Sequence, residues 1–206
     1  MRKGVCVQIG LDRVAEYSYL VYPDWRGRMN GIDKNKRIPT AIFNDIDEWE
    51  YIGVEQQPHS IAYLLTVIGA PARWVICRVD EHPEGFAHVL AHRIDPADVY
   101  YEVPQMMLGQ LFHGLRLDYN PDMVDVLAMD IEGNEAKVLE SHDWKVIPRF
   151  IAVEIHSFEE GIKERVDNVL FDKDYELIYT VPTNQETTAP TLESHYIQRK
   201  YLDEMA

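Results

Sequence analysis

The run Val124-Asp125-Val126-Leu127-Ala128-Met129, followed at once by Asp130-Ile131-Glu132-Gly133-Asn134-Glu135, constrains this chain more than any other stretch. Its apolar part is too short for a helix of its own and ends in three acids, so it reads as a buried strand whose carboxyl end carries charge into a cleft. Gly133 breaks that strand. Asn134 to Glu140 holds good helix formers with an acid near the amino end, which predicts a helix directly after the turn. In open α/β sheets, ligands bind outside the carboxyl ends of the strands, where these acids point.

A second strand is predicted over Phe150-Ile151-Ala152-Val153-Glu154-Ile155-His156. Alternation places Glu154 and His156 on one face, two residues apart at the strand's upper end. Asp130, Glu132, Glu154 and His156 therefore become candidates for one pocket. The plainer alternative for any one of these acids is a solvated strand end or a helix cap.

These residues carry a resemblance. Val124 to Leu139 is similar to the hallmark segment of the FkbM-type methyltransferases, a hydrophobic strand running into Asp-x-Glu-Gly-x-Glu and then a helix ending in Val-Leu. Val103-Pro104-Gln105-Met106-Met107-Leu108-Gly109-Gln110-Leu111 resembles the family's Val-Pro-x-x-x-Leu-x-x-Leu segment. Pro148 to His156 resembles its Pro-x-x-Ile-x-x-Glu-Ile-His strand. The resemblance is specific from about Val103 to Ser157. It implies an α/β, doubly wound, mostly parallel seven-stranded sheet with an antiparallel C-terminal strand pair. It also implies S-adenosyl-L-methionine as cofactor and O-methylation of a hydroxyl on a small molecule or sugar.

The chain has 206 residues, which fit one domain able to bury a substantial core. A probable insertion covers residues 25–47, polar and without a sustained period. Acids outnumber bases 35 to 20, a formal charge of -15, and this disfavours the clustered Lys and Arg that a nucleic-acid partner requires. One locally basic group, Arg26, Arg28, Lys34, Lys36 and Arg37, reads first as a solvated loop. No apolar run approaches the roughly 20 residues of a membrane helix, and the amino terminus reads as a first strand and not a secretory signal, so a cytoplasmic location is expected. Cys6 and Cys77 sit inside apolar runs and read as small hydrophobes, with a disulfide or metal pair as the minority reading.

Val5-Cys6-Val7-Gln8-Ile9-Gly10 reads as the first parallel strand with the turn above it, where glycine lets a cofactor lie against bare backbone. Where the resembling family has Gly-Ala-Asn-x-Gly, this chain has Gly10-Leu11-Asp12-Arg13-Val14, so Val14 stands at the second glycine. Arg13 to Leu20 is predicted helical. Glu50 to Glu55 reads as the second strand, with Glu55 placed to accept hydrogen bonds from both cofactor ribose hydroxyls. A helix is expected over Ser60 to Ile68 and a third strand over Ala72 to Val79, with Asp80 beyond it near the adenine. The cofactor side thus draws on Gln8, Gly10, Asp12, Glu55, Gln56 and Asp80. His82, His88 and His92 lack the spacing of a zinc motif. Phe86 to Ile94 and Tyr100 to Val103 read as extra strands, Phe158 to Asp172 as an amphipathic helix, and Tyr175 to Thr180 and His195 to Arg199 as the closing strands.

For methyl transfer the protein must align a hydroxyl and provide a base for its proton. His156 is the natural base, with Glu154 or Asp130 orienting it and Asp130 and Glu132 holding substrate hydroxyls. Two other readings stay open. The same four residues also suit a divalent metal, and Val14 suits a fold kept as a binding module without a working cofactor site.

Overall fold

The strand ending at Met129 lies at the middle of a seven-stranded sheet, flanked in parallel by the first strand on one side and by the strand ending at His156 on the other. The computed structural model describes residues 2–11, 40–68, 73–82, 85–90, 100–156, 160–184 and 191–205. The strands are β1 (Arg2–Ile9), β2 (Ile46–Glu55), β3 (Arg73–Ile76), β4 (Arg78–Val79), β5 (Phe86–Leu90), β6 (Tyr100–Met106), β7 (Val126–Met129), β8 (Phe150–His156), β9 (Tyr175–Asn184) and β10 (Thr191–Gln198). The helices are α1 (Pro58–Ile68), α2 (Leu108–Gly114), α3 (Glu135–Ser141) and α4 (Ile162–Asp172), with 3-10 turns at Thr40–Phe43 and Arg199–Met205.

The sheet order is β3-β2-β1-β7-β8-β10-β9. All pairs are parallel except β8 with β10 and β10 with β9, so the last strand of the chain enters between its two predecessors and runs against them. The expected fold is borne out. A second, three-stranded sheet, β4-β6-β5, grows out of the chain between β3 and α2.

Alternation sorts the strand residues onto two cores. Val5, Val7, Ile9, Leu127, Met129, Ile151, Val153 and Ile155 pack against Leu111 and Phe112 of α2, Val138 and Leu139 of α3, and Val166 and Leu170 of α4. Cys6, Tyr51, Val126, Ala128, Phe150 and Ala152 face the other way, onto Ile42 and Phe43. Both cysteines are free and buried, and burial pushes both thiols up, which leaves them small hydrophobes. Among the described residues no helix is long and apolar enough to cross a membrane.

Several boundaries differ from the sequence reading. The expected third strand bends at Cys77, so that Arg73–Ile76 joins the large sheet and Arg78–Val79 the small one. The far end of the predicted 25–47 insertion is a 3-10 turn, and β2 already begins at Ile46, paired with Arg2. Residues 25–39, the helix expected over Arg13 to Leu20, Asp12 and Val14 lie outside the described residues. Strand β9 continues through Pro182 to Asn184, which the Pro-rich composition hid. An edge strand tolerates proline because only one of its sides needs ladder donors.

A charged lock closes the lower end of the sheet. Asp125, fully buried, accepts from the backbone N–H of Val5 at 2.9 Å and from the guanidinium of Arg2. Arg149 pairs with Asp45 at 2.7 and 3.0 Å and stacks 4.5 Å over the Tyr201 ring. Its guanidinium and Arg2 hold the Asp45 carboxyl well below the usual carboxylate range, against a burial effect that raises it.

At the upper end, the first and fourth parallel strands leave the sheet side by side. The Gly10 N–H donates to Val54 O and the Asp130 N–H to Ile9 O, both at 2.9 Å. Gly10 takes φ +77, and a Cβ there lies 1.6 Å from the Asp130 carbonyl oxygen. Only glycine fits, for conformation and for space alike. Gly10→Ala is expected to cost about 3 kcal/mol, from overpacking plus a strained φ, and to lower the Tm by about 6–12 °C in a chain of this size. Gly114→Ala, which meets nothing within 4 Å, is expected to leave the Tm unchanged or slightly raised. Equal melting of the two variants, measured by calorimetry, contradicts the assignment.

Candidate functional site

The sequence from Asp130 to Glu135 is a turn tied to its own helix. Glu132 and Gly133 both take positive φ, +57 and +98, which reverses the chain above β7. Glu135, the first residue of α3 and fully buried, folds its side chain back so that Oε1 accepts from the N–H groups of Gly133 at 3.0 Å and Ile131 at 3.3 Å. Those amides belong to the chain entering the helix, where donors need partners and a negative charge is favoured. The Asp-x-Glu-Gly-x-Glu spacing thus has a mechanical meaning: Gly133 makes the reversal and Glu135 closes it.

The same carboxylate reaches across to β8. Glu135 Oε1 lies 3.3 Å from His156 Nδ1, and the opposite ring nitrogen, Nε2, faces Glu132 Oε2 at 3.5 Å and Asp130 Oδ1 at 3.7 Å. His156 is buried, Asp130 half-buried, and Glu132 exposed at the rim. Burial pulls the His156 pKa down. The hydrogen bond to Glu135 and the charges of Asp130, Glu135 and Glu132 outweigh it and raise the value to about 9. The surrounding acids thus favour the protonated ring in the ion-free protein.

The structure brings together Asp130, Glu132 and His156 from the predicted set and adds Glu135. Glu154 shares with Asp130 a small cavity beside that cluster. It pairs with Glu193 of β10, and Glu193, Gln8, Ala128 and Ala152 also line that cavity against the sheet. Gln8 belongs to that cavity too, with its Oε1 accepting from the Tyr51 hydroxyl at 2.7 Å. Glu193 is nearly fully buried and lies 2.9 Å from His195 Nε2. Glu154 and His156 stand two residues apart on β8, with His156 against Glu135 at the start of α3 and Glu154 against the cavity.

On the cofactor side, Glu55 ends β2 with its carboxylate buried. Oε2 accepts from the Leu11 N–H at 2.8 Å and Oε1 from the Gln57 N–H at 2.7 Å, which ties the turn after β1 to the tip of β2. Gln56 is half-buried in the bend that follows. Asp80 is buried beyond β4, accepting from Arg78 Nε at 2.8 Å, Glu81 N–H at 2.7 Å and Asn134 Nδ2 at 3.4 Å. Asp80 and Asn134 thereby connect the small sheet to the start of α3. Asp12 lies outside the described residues.

All of these groups stand at the carboxyl ends of parallel strands around the place where strand order reverses, between β1 and β7, which is where open α/β sheets bind ligands. Sheet order, one reversed strand and the site at the reversal define a Rossmann-like class I methyltransferase fold. The methyltransferase FkbM domain family model matches residues 79–177 of the chain. The match contains Asp130, Glu132, Glu135, Glu154 and His156. Gly10 and Glu55 precede it.

Of the similar solved structures, two agree on the fold with TM-scores above 0.5. The Methanococcus jannaschii fibrillarin pre-rRNA processing protein aligns over 96% of this chain and 67% of its own, with a TM-score of 0.54 and 10% identity. A fibrillarin/Nop5p complex aligns over 95% and 72%, with a TM-score of 0.51 and 11% identity. Aeropyrum pernix fibrillarin in complex with natively bound S-adenosyl-L-methionine aligns over 95% and 67%, with a TM-score of 0.48 and 13% identity. No curated protein matches in sequence.

The raised pKa has a sign. A ring whose folded value exceeds its unfolded value near 6.5 stabilises the fold fully below about pH 6.5, and that contribution is lost as pH rises through about 9. In metal-free protein the His156 ring signal, followed by NMR, is expected to titrate near pH 9, and in Glu135→Gln to move toward the ordinary histidine range. A wild-type midpoint near 6.5 contradicts this arrangement.

Proposed function

We propose that the protein transfers a methyl group from S-adenosyl-L-methionine to a hydroxyl of a small molecule or sugar. The observation that carries this reading is the convergence of Asp130, Glu132 and His156 at the tips of β7 and β8, beside the bare backbone turn at Gly10 and inside the FkbM-matched segment. Gly10 and Glu55 fit the cofactor. The glycine turn offers backbone with no side chain. The Glu55 carboxylate stands at the tip of β2, tied to the Leu11 and Gln57 amides, and a carboxylate is the kind of group that accepts from ribose hydroxyls. S-Adenosyl-L-methionine, when bound, supplies an electrophilic methyl group on a sulfonium.

The side chains divide the remaining work. Asp130 and Glu132 accept the hydrogen of the incoming hydroxyl and orient its oxygen, the part of catalysis that comes from alignment. In the ion-free protein His156 faces both acids at the crevice mouth and offsets their charge, and either the ring or a carboxylate stands within reach of the hydroxyl proton. The formal charge of -15 points the acceptor search to small molecules and away from polyanions.

One observation favours a second reading, a fold retained as a binding module: the family match begins at Val79, after Gly10 and Glu55, and Val14 stands where the resembling motif has glycine. Ligand-dependent melting separates the two. A ligand at 100 times its Kd that binds only the native state adds about 2.7 kcal/mol, which raises the Tm by roughly 5–10 °C here. S-Adenosyl-L-methionine and its demethylated product are expected to give such shifts, and Glu55→Gln to remove most of them. If neither ligand moves the Tm of the unaltered chain, methyl transfer is wrong and the module reading stands.

A further inference from the structure

We propose that Asp130, Glu132 and His156 form a site for one divalent cation, oriented by Glu135, at which an acceptor bearing two adjacent oxygens is chelated. The acceptor part rests on the methyl-transfer reading, whereas the ion site stands on its own geometry.

Distances carry the argument first. Charge-assisted N–H···O bonds run about 2.7–2.9 Å, and contacts near 3.6 Å are not hydrogen bonds. His156 Nε2 stands 3.5 Å from Glu132 Oε2 and 3.7 Å from Asp130 Oδ1, and the three donor atoms all lie within 4.8 Å of one another. Ligands on one cation with bonds of about 2.1 Å lie roughly 3.0–3.4 Å apart at octahedral or tetrahedral angles and about 4.2 Å apart when opposed. These contacts are ion-pair distances longer than a direct hydrogen bond, and the spacing is close to that of three atoms sharing an ion.

Orientation is the second observation. A metal-binding histidine characteristically gives its other ring N–H to a carboxylate, which fixes the tautomer and turns the free lone pair toward the ion. Glu135 stands 3.3 Å from Nδ1, fully buried and anchored by two backbone amides. Its second oxygen, Oε2, is buried with no hydrogen-bond partner among the described residues, a costly arrangement in a site of uncompensated charge. The three acids Asp130, Glu132 and Glu135 around a single imidazole leave negative charge that a dication offsets.

One imidazole and two carboxylates make a mixed nitrogen and oxygen donor set suited to Mn2+ or Zn2+, while Mg2+ prefers oxygen alone. Three protein ligands leave coordination positions open. A pair of adjacent hydroxyls fills two of them, and the ion lowers the pKa of a hydroxyl it binds.

Titration of Mn2+ into the chelator-stripped full chain, read by calorimetry and electron paramagnetic resonance, tests the ion site. One saturable Mn2+ per chain is expected. Asp130→Asn, His156→Ala and the rim variant Glu132→Gln are each expected to weaken binding at least about tenfold, and Glu135→Gln by about 10–100-fold. Glu132 is exposed, so its variant tests the site without risk to folding. Absent or non-saturable binding, or binding unchanged in Glu132→Gln and Asp130→Asn, overturns the site. Pyrocatechol added to the Mn2+-loaded chain is expected to alter the resonance spectrum and phenol to leave it unchanged; equal responses overturn the chelation. The S-adenosyl-L-methionine melting shift, run in parallel, keeps the inferences apart. A shift without Mn2+ binding sinks the ion site and the chelation and leaves methyl transfer standing, and Mn2+ binding without a shift sinks methyl transfer and the acceptor part and leaves the ion site standing.

Discussion

The buried carboxylate of Glu135 is the interaction on which the upper end of the molecule depends. It closes the reversal after β7, caps the entry to α3 and reaches the imidazole at the end of β8, so one side chain sets the relative placement of three elements. A buried charge is tolerable only when hydrogen-bonded and paired, and its partners here are two amides and a ring. Loss of any partner therefore disturbs both the turn and the site.

The lower end obeys the same logic with different residues. Asp125 and Arg149 bury charge where β1, β7 and β8 begin, and Asp45 and Arg2 complete the exchange. The apolar middle of the sheet, packed on both faces, lies between two polar closures. This division explains why the strands read as near-continuous apolar runs that start and stop in charge.

Much of the fold was legible because the signals were local. An apolar run, a glycine and a helix former series specify strand, turn and helix without knowledge of partners, and β7, α3 and β8 appear where those signals put them. The bend at Cys77 was illegible because it depends on which sheet each half of the run joins. Within the site, Asp130, Glu132 and His156 were named from position at strand ends. Glu135 was seen only as part of an acidic cluster, although its offset of two residues from Gly133 is the signal that it folds back onto the turn. Glu154 shares a face with His156 in sequence terms, but cross-strand pairing with Glu193 decides its surroundings, and that partner lies about 40 residues away. Arg149 gave no sign of burial at all, since partners distant in sequence, Asp45, Asp125 and Tyr201 among them, make it tolerable.

Glu55 joins stability to ligand binding in one carboxylate. Its oxygens hold the Leu11 and Gln57 amides, and the turn so held is the one whose glycine meets the Asp130 carbonyl. A cofactor hydroxyl bonding to Glu55 would therefore load a group already fixed by the fold, so little side-chain entropy remains to be lost on binding. The opposite side of the crevice is built on the same plan, with Asp130 held through its backbone by β1 and His156 through its ring by α3. Both halves of the crevice are thus oriented by contacts that exist before any ligand arrives, which is the condition under which alignment can supply a large part of a methyl-transfer barrier.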